Sequence, residues 1–324
     1  MCIRDRTPGG TFLPEPGRFY SQDFSLRIFH FNDLHGHLMD FKRDGERAIL
    51  SRLAWKIQSA RQAYLGKSDE AVLVFAAGDD CSGSIFDEIM MDTSQDYPNH
   101  PGYLLYSKMG VDVAGLGNHD LDRGLSFLAD VIRHNARFPV LAANLSSCSQ
   151  ISDFCYPAAL LELNGLRVGI IGLVTRAETH LNPDISQIVH PIPVAQNLVS
   201  AVRPLCDVMI IISHLGHKLT SPVPMADAGD VELAQSLPPH SVDLIIGGHS
   251  HTALNADGLC EKNIINGIPI VQSGAHGTKL GKVELKILKK TVSVLDALLF
   301  HGSGVAVDLD CEEDEVVPVR RRGR

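Results

Sequence analysis

Gly115-Leu116-Gly117-Asn118-His119-Asp120-Leu121-Asp122-Arg123-Gly124 is the stretch whose reading decides the fold. It closes the run Val111–Leu116 and leads into a segment of helical composition, so it reads as a loop at the C-terminal end of a buried strand. Open α/β sheets place their chemistry at such ends. The loop offers a neutral amide oxygen (Asn118), an imidazole (His119) and, three residues on, a carboxylate (Asp122). An amide oxygen suits a divalent ion without adding charge, and an imidazole held by a carboxylate suits proton work. A turn of this kind is weak by itself, and its weight comes from partners elsewhere in the chain.

Working outward, four more apolar runs end in metal-type residues. They are Asp33 and His35 in NDLHGH, Asp79 in AAGDD, His214 in SHLGH, and His249 and His251 in GGHSHT. The two-residue spacing of Asp33/His35 and of His249/His251 lets one tight loop aim two donors into one space. Glycines at 36, 78, 117, 247 and 248 permit the sharp turns this needs. The mixed oxygen and nitrogen set suits Mn²⁺, Fe or Zn²⁺ better than Ca²⁺ or a thiolate cluster. Seven donors exceed what one ion takes, so two divalent ions sharing a carboxylate is the economical reading.

The chain around these motifs reads as a single α/β unit over residues 26–300. Strands are expected at 26–31, 71–77, 111–116, 140–143, 208–212, 242–246, 268–272, 279–288 and 291–300, and helices at 46–64, 103–109, 125–135 and 194–202. Asn164-Gly165, between the apolar runs 160–163 and 167–173, is a hairpin signal. Residues 1–25 show neither period and hold Pro8, Pro14 and Pro16, so they are read as unstructured, with Met1–Arg6 as a non-native lead-in. Residues 301–324 read as a charged tail or the start of a linker, with six acids between 308 and 315 and a basic end.

Composition narrows the function classes. The 324 residues are 44% hydrophobic and 21% charged, with a formal charge of −9, which argues against binding a nucleic-acid polymer. No apolar stretch approaches the roughly 20 residues that span a bilayer. The seven cysteines contain no CxxC pair, which excludes a cysteine zinc ribbon; Cys148 and Cys155 bracket a short loop and are either a disulfide or free thiols.

The ordered set NDLHGH, AAGDD, GNHD, SHLGH and GGHSHT resembles the calcineurin-like metallophosphoesterases, and within them the 5′-nucleotidase and UDP-sugar hydrolase branch. Ala143-Asn144-Leu145, the run 165–175 and QSGAHGTKLG from Gln272 extend the resemblance. It implies a four-layer α/β/β/α sandwich of two mixed sheets flanked by helices, with a dimetal site where the sheets meet. By the same resemblance Asp33, His35 and His251 take one ion, Asn118, His214 and His249 take the other, and Asp79 bridges them. His119 then acts on substrate, oriented by Asp122. Asn118 is also a candidate substrate contact, as are His37 and His217, each two or three positions beyond a ligand, and His276, which sits in a glycine turn.

The implied activity is hydrolysis of a small-molecule phosphate ester, a nucleotide by family resemblance, in a periplasmic or secreted setting. Two rivals share the scaffold: a thiosulfohydrolase of sulfur oxidation and a non-enzymatic metal-binding module. Branch members continue into a second domain that clamps the base. No room for such a domain is expected within these 324 residues, whose end reads as the start of a linker or as the mark of a stand-alone or truncated protein, so weak discrimination among bases is the expectation.

Overall fold

The structure, a computed structural model, describes residues 2–5, 23–38, 40–42, 45–80, 100–145, 153–176, 187–219, 228–288 and 291–301. Their strands are β1 (Cys2–Asp5), β2 (Phe24–Phe31), β3 (Asp40–Lys42), β4 (Gly45–Arg47), β5 (Glu70–Ala77), β6 (Val113–Gly115), β7 (Val140–Leu141) and β8 (Cys155–Tyr156). They continue as β9 (Ala158–Leu163), β10 (Leu166–Val174), β11 (Val208–His214), β12 (Leu244–Ile246), β13 (Ile264–Ile265), β14 (Ile268–Val271), β15 (Lys279–Leu288) and β16 (Thr291–His301). The helices are α1 (Ile49–Ala63), α2 (Pro101–Met109), α3 (Leu125–Asn135), α4 (Pro191–Val202) and α5 (Asp230–Ser236).

The strands form two mixed seven-stranded sheets, in the orders β1-β9-β10-β11-β12-β14-β13 and β16-β15-β2-β5-β6-β7-β8. Side chains on a strand alternate between faces, and here both faces are apolar. In β5, Leu73, Phe75 and Ala77 face inward onto Val168, Ile170, Ile210, Ile212 and Leu244 of the other sheet. Val72, Val74 and Ala76 face outward onto a core that includes Leu50, Leu53 and Ile57 of α1, Tyr103 and Tyr106 of α2, and Leu128 and Ile132 of α3. In β11, Met209 and Ile211 face outward onto Ala195, Val199 and Val202 of α4 and Leu233 and Ala234 of α5. Three apolar layers separate four layers of structure, the expected α/β/β/α sandwich. Each fully buried Leu, Ile or Phe contributes about 1.5–3 kcal/mol, so this double-sided burial is what holds the sheets face to face.

The parallel strands position the site. β2, β5, β6 and β7 run parallel in one sheet, and β10, β11, β12 and β14 run parallel in the other. Their C-terminal loops meet at one edge of the sandwich, as the contacts of those loops below demonstrate.

Local readings agree with the structure at the hairpin and differ from it elsewhere. Asn164 (φ 52°) and Gly165 (φ 91°) make the left-handed turn of the β9–β10 hairpin, as their dipeptide signal required. The expectation that residues 1–25 lack regular structure is corrected at Cys2–Asp5, which pairs in parallel with 159–162 of β9. A backbone can add to an exposed sheet edge whatever its side-chain period, and four residues are too few to display one. Helix α1 starts at Ile49 because Gly45–Arg47 pairs with Asp40–Lys42 instead. Helix α5 lies between the expected strands 208–212 and 242–246, where the sequence reading assigns no element. Its start is held by Glu232, which accepts from the Gly229 amide at 2.9 Å. Cys148 and the charged segments after residue 301 lie outside the described residues, so the disulfide expectation is not addressed.

Candidate active site at the facing strand ends

Every candidate donor sits at the end of a parallel strand. Asp33 and His35 follow β2, Asp79 follows β5 and Asn118 follows β6; His214 closes β11 and His249 and His251 follow β12. Asp33, His35, Asp79, His249 and His251 all hold left-handed backbone, with φ between 47° and 72°. Non-glycine residues avoid this region, and where they persist in it the surrounding structure holds them there, commonly at functional sites. At Gly117 close approach rather than φ demands glycine, because a Cβ would fall on the Asp79 carboxylate.

Two groups of donors result. Asp33, His35 and His251 bring their ligand atoms within 4.8 Å of one another, and so do Asp79, His214 and His249. In the first group His251 Nε2 lies 3.2 Å from Asp33 Oδ1 and 3.1 Å from His35 Nε2. In the second, His214 Nε2 lies 3.0 Å from Asp79 Oδ2. The groups are joined: Asp79 Oδ2 is 3.7 Å from His35 Nε2, and Asp33 Oδ1 is 3.8 Å from His214 Nε2. The Asn118 side-chain oxygen is buried and has no hydrogen-bond partner among the described groups. An orphaned buried amide oxygen is costly, and beside these groups it is a donor suited to a cation. Carboxylate, imidazole and amide donors together fit a borderline divalent metal. His251 is the most open of the donors at 42% exposure, so the first group faces the mouth and the second lies deeper.

Neighbouring residues aim these donors. The Nδ1 of His214 lies 2.6 Å from the Ala77 carbonyl, to which it donates, leaving the Nε2 lone pair for a cation. Asn32 donates to Asp33 Oδ2 at 2.5 Å, and its own oxygen accepts from the Ser273 amide and hydroxyl. Gln272 accepts from the Thr252 amide and donates to the Gly248 carbonyl, fixing the loop that carries His249 and His251. Asp120, which received no role from sequence reasoning, accepts from the amides of Asp79, Asp80 and Gly117 at 3.1, 3.0 and 2.8 Å. It ties the Asp79 loop to the Asn118 loop. Its place inside GNHD was the available signal.

The electrostatics are those of a cation site. Burial works against ionisation of His214, yet the Asp79 and Asp33 carboxylates outweigh it and push that ring up to about 10. Burial also opposes ionisation of Asp79 and Asp33, yet the imidazoles, His214 foremost, lower both carboxyls, Asp79 well below the usual carboxylate range. Burial, with His214 adding to it, draws His249 down to about 4, so its nitrogen keeps a lone pair.

His119 stands apart from the donor groups. Its Nδ1 lies 2.8 Å from Asp122 Oδ2, and the ring is 39% exposed. The hydrogen bond to Asp122 raises its pKa. Its ring centre is 5.3 Å from that of His35, at the edge of the first group. His276 is also brought to this edge, 5.5–5.7 Å from His251 and His35 and stacked 4.1 Å from His37. His217 is not: its amide donates to Ser250 Oγ, and its ring makes no described contact with the other candidates.

Comparison with known proteins agrees with this geometry. The calcineurin-like phosphoesterase model matches residues 26–253. The chain is 25% identical to mouse 5′-nucleotidase over 327 residues, covering 91% of this chain and 51% of that protein. It is 27% identical to protein UshA of Escherichia coli strain K12 over 300 residues, covering 85% and 52%. Among solved structures, the calcineurin-like phosphoesterase YfkN of Bacillus subtilis superposes with a TM-score of 0.68 at 24% identity, over 87% of this chain and 92% of that one. The chain spans about half the length of the curated relatives it matches. With its sandwich, its strand-end donors and a family match over most of its length, the chain belongs to the calcineurin-like phosphoesterases.

Proposed function

We propose that this chain is a dimetal-dependent phosphoester hydrolase acting on nucleotides in the manner of a 5′-nucleotidase. The observation that carries the reading is the pair of oxygen-and-nitrogen donor groups linked through Asp79, with the His119–Asp122 pair at their edge. The family uses divalent metals. Asp33, His35 and His251 would hold one ion, Asn118, His214 and His249 the other, and Asp79 both. Bound there, divalent ions supply Lewis acidity toward phosphoryl oxygens and lower the pKa of water toward neutrality.

The chain's own residues do the rest. Asp122 accepts from His119 Nδ1, which sets the ring's tautomer and leaves Nε2 as the nitrogen that meets substrate. From there a protonated ring hydrogen-bonds a phosphoryl oxygen and passes its proton to the departing alkoxide. The His119 main-chain amide holds Asp79 Oδ1, so Oδ2 stays directed at His214 and His35. His276, stacked on His37, lines the mouth where the rest of the substrate enters.

The substrate assignment is supported by relatives named 5′-nucleotidase at about a quarter identity, and a periplasmic or secreted setting rests on the same branch resemblance. Among the described residues no helix is long and apolar enough to cross a membrane. The test is a chain stripped with chelator, reloaded with Mn²⁺, Zn²⁺ or Fe²⁺, and assayed on nucleoside monophosphates, cyclic nucleotides, UDP-sugars and aryl phosphodiesters. Metal-restored turnover led by the nucleoside monophosphates is expected. A metal-loaded chain inert on every ester would sink the proposal.

A further inference from the structure

Asp230 is fully buried at the first position of α5, and neither carboxyl oxygen has a hydrogen-bond partner among the described groups. It lies between two loops. Its amide donates to the Gly216 carbonyl at 2.8 Å and that of Val231 to the His217 carbonyl at 2.9 Å, so the helix start clasps the loop that follows His214. Its Oδ2 lies against Gly247, where a Cβ would collide with it, and Gly247 is two residues before His249. The Ser213 hydroxyl, next to His214, is also buried; it meets no strict hydrogen-bond geometry but faces the Asp230 carboxyl, on which it acts. Burial pushes the Asp230 carboxyl well above the usual carboxylate range, against a weaker opposing pull from Ser213 and His214.

A stability account does not explain this residue. A buried carboxyl with only a weak Ser213 interaction to offset its desolvation weakens a fold, and replacing it with a small apolar side chain should be neutral or stabilising. Polar groups kept at such a cost are typically found where function requires them. Asp230 touches both of the loops that carry His214 and His249, two of the donors grouped with Asp79, whereas Asp33 and His35 belong to the opposite sheet.

We infer that Asp230 is a positioning residue for metal binding, a wedge lodged against the loops after β11 and β12 that keeps His214 and His249 convergent on the Asp79 side of the site. The inference rests on the dimetal reading above. Partners that orient ligands without touching the metal typically govern roughly 10–100-fold in affinity.

The experiment measures Mn²⁺ binding by calorimetry and metal content on the full chain, with thermal melts of the metal-free form. Asp230→Ala should leave the metal-free melting temperature unchanged or higher. It should also weaken one of the two ions by about 10–100-fold and leave the other unaffected. Asp230→Asn keeps the wedge in shape and should bind both ions nearly as the parent does. A metal-free melting temperature that falls in step with affinity would make Asp230 a packing residue and overturn the inference, as would unchanged affinity in Asp230→Ala. If Asp230→Ala does not fold, Asp230→Leu and Asp230→Asn decide it: equal affinity in both would remove any role for the wedge's shape. The parent chain is the control for the dimetal reading itself. No Mn²⁺ bound by the parent would refute that reading, and this inference with it.

Discussion

The main-chain amide of His119 donates to Asp79 Oδ1 at 2.8 Å, while the His119 side chain is held by Asp122. One residue thus orients, through its backbone, the carboxylate that joins the two donor groups and presents, through its ring, the Nε2 nitrogen at their edge. Its two roles separate by substitution, because replacing the side chain leaves the amide in place.

His119→Ala should therefore keep its metal content while kcat falls roughly 10²–10⁴-fold, the usual range for a positioned acid–base group. The loss should shrink for nitrophenyl esters, whose leaving groups need little protonation. Metal analysis beside rates across a leaving-group series checks this. One ion lost with a uniform drop in rate would make His119 a ligand.

Asp79→Asn removes the anion shared by both groups and keeps the size of the side chain. Metal content and activity should fall together. An Asp79→Asn protein that retains full occupancy, measured by elemental analysis after gel filtration, would exclude Asp79 as the bridge.

Gly117→Ala tests close approach in isolation, because the added Cβ would meet the Asp79 side chain and amide. Displacing Asp79 should cost about 1–3 kcal/mol of stability. It should also lower metal affinity, read from chemical denaturation with and without Mn²⁺. A variant as stable and as tightly metal-binding as the parent would contradict the packing described here.

Asp120→Ala strands the amides of Asp79, Asp80 and Gly117, which its carboxylate now satisfies. Destabilisation of about 2–4 kcal/mol is expected in urea, large for a single substitution because three buried donors lose their acceptor together. A loss below about 0.5 kcal/mol, the level of an ordinary surface change, would mean those amides find water instead.

Chelation should abolish turnover and lower the melting temperature, and Mn²⁺ should restore both. An ion present at 100 times its dissociation constant adds about 2.7 kcal/mol to the folded state. A melting temperature indifferent to chelator and metal would argue against occupied sites.

Much of this molecule was legible in one dimension. Short apolar runs, each followed closely by a metal-type residue and several by glycine, mark buried parallel strands and their candidate donor ends, because both signals depend on residues close together in the chain. Asp33, His35, Asp79, Asn118, His119, His214, His249 and His251 were all readable in this way. The four-layer arrangement and the division of donors between two ions came from family resemblance, since no spacing along the chain states which loops meet. Only the tertiary structure places His35 beside His251 and Asp79 beside His214, bringing together loops that belong to opposite sheets. It alone shows Asp120 gathering amides from two loops and Asp230 lodged against Gly247. It alone pairs Cys2–Asp5 with β9. Those relationships rest on backbone groups and on close approach between distant segments. A backbone amide has the same chemistry at every position, so which one a carboxylate meets is decided by the packing of two sheets face to face.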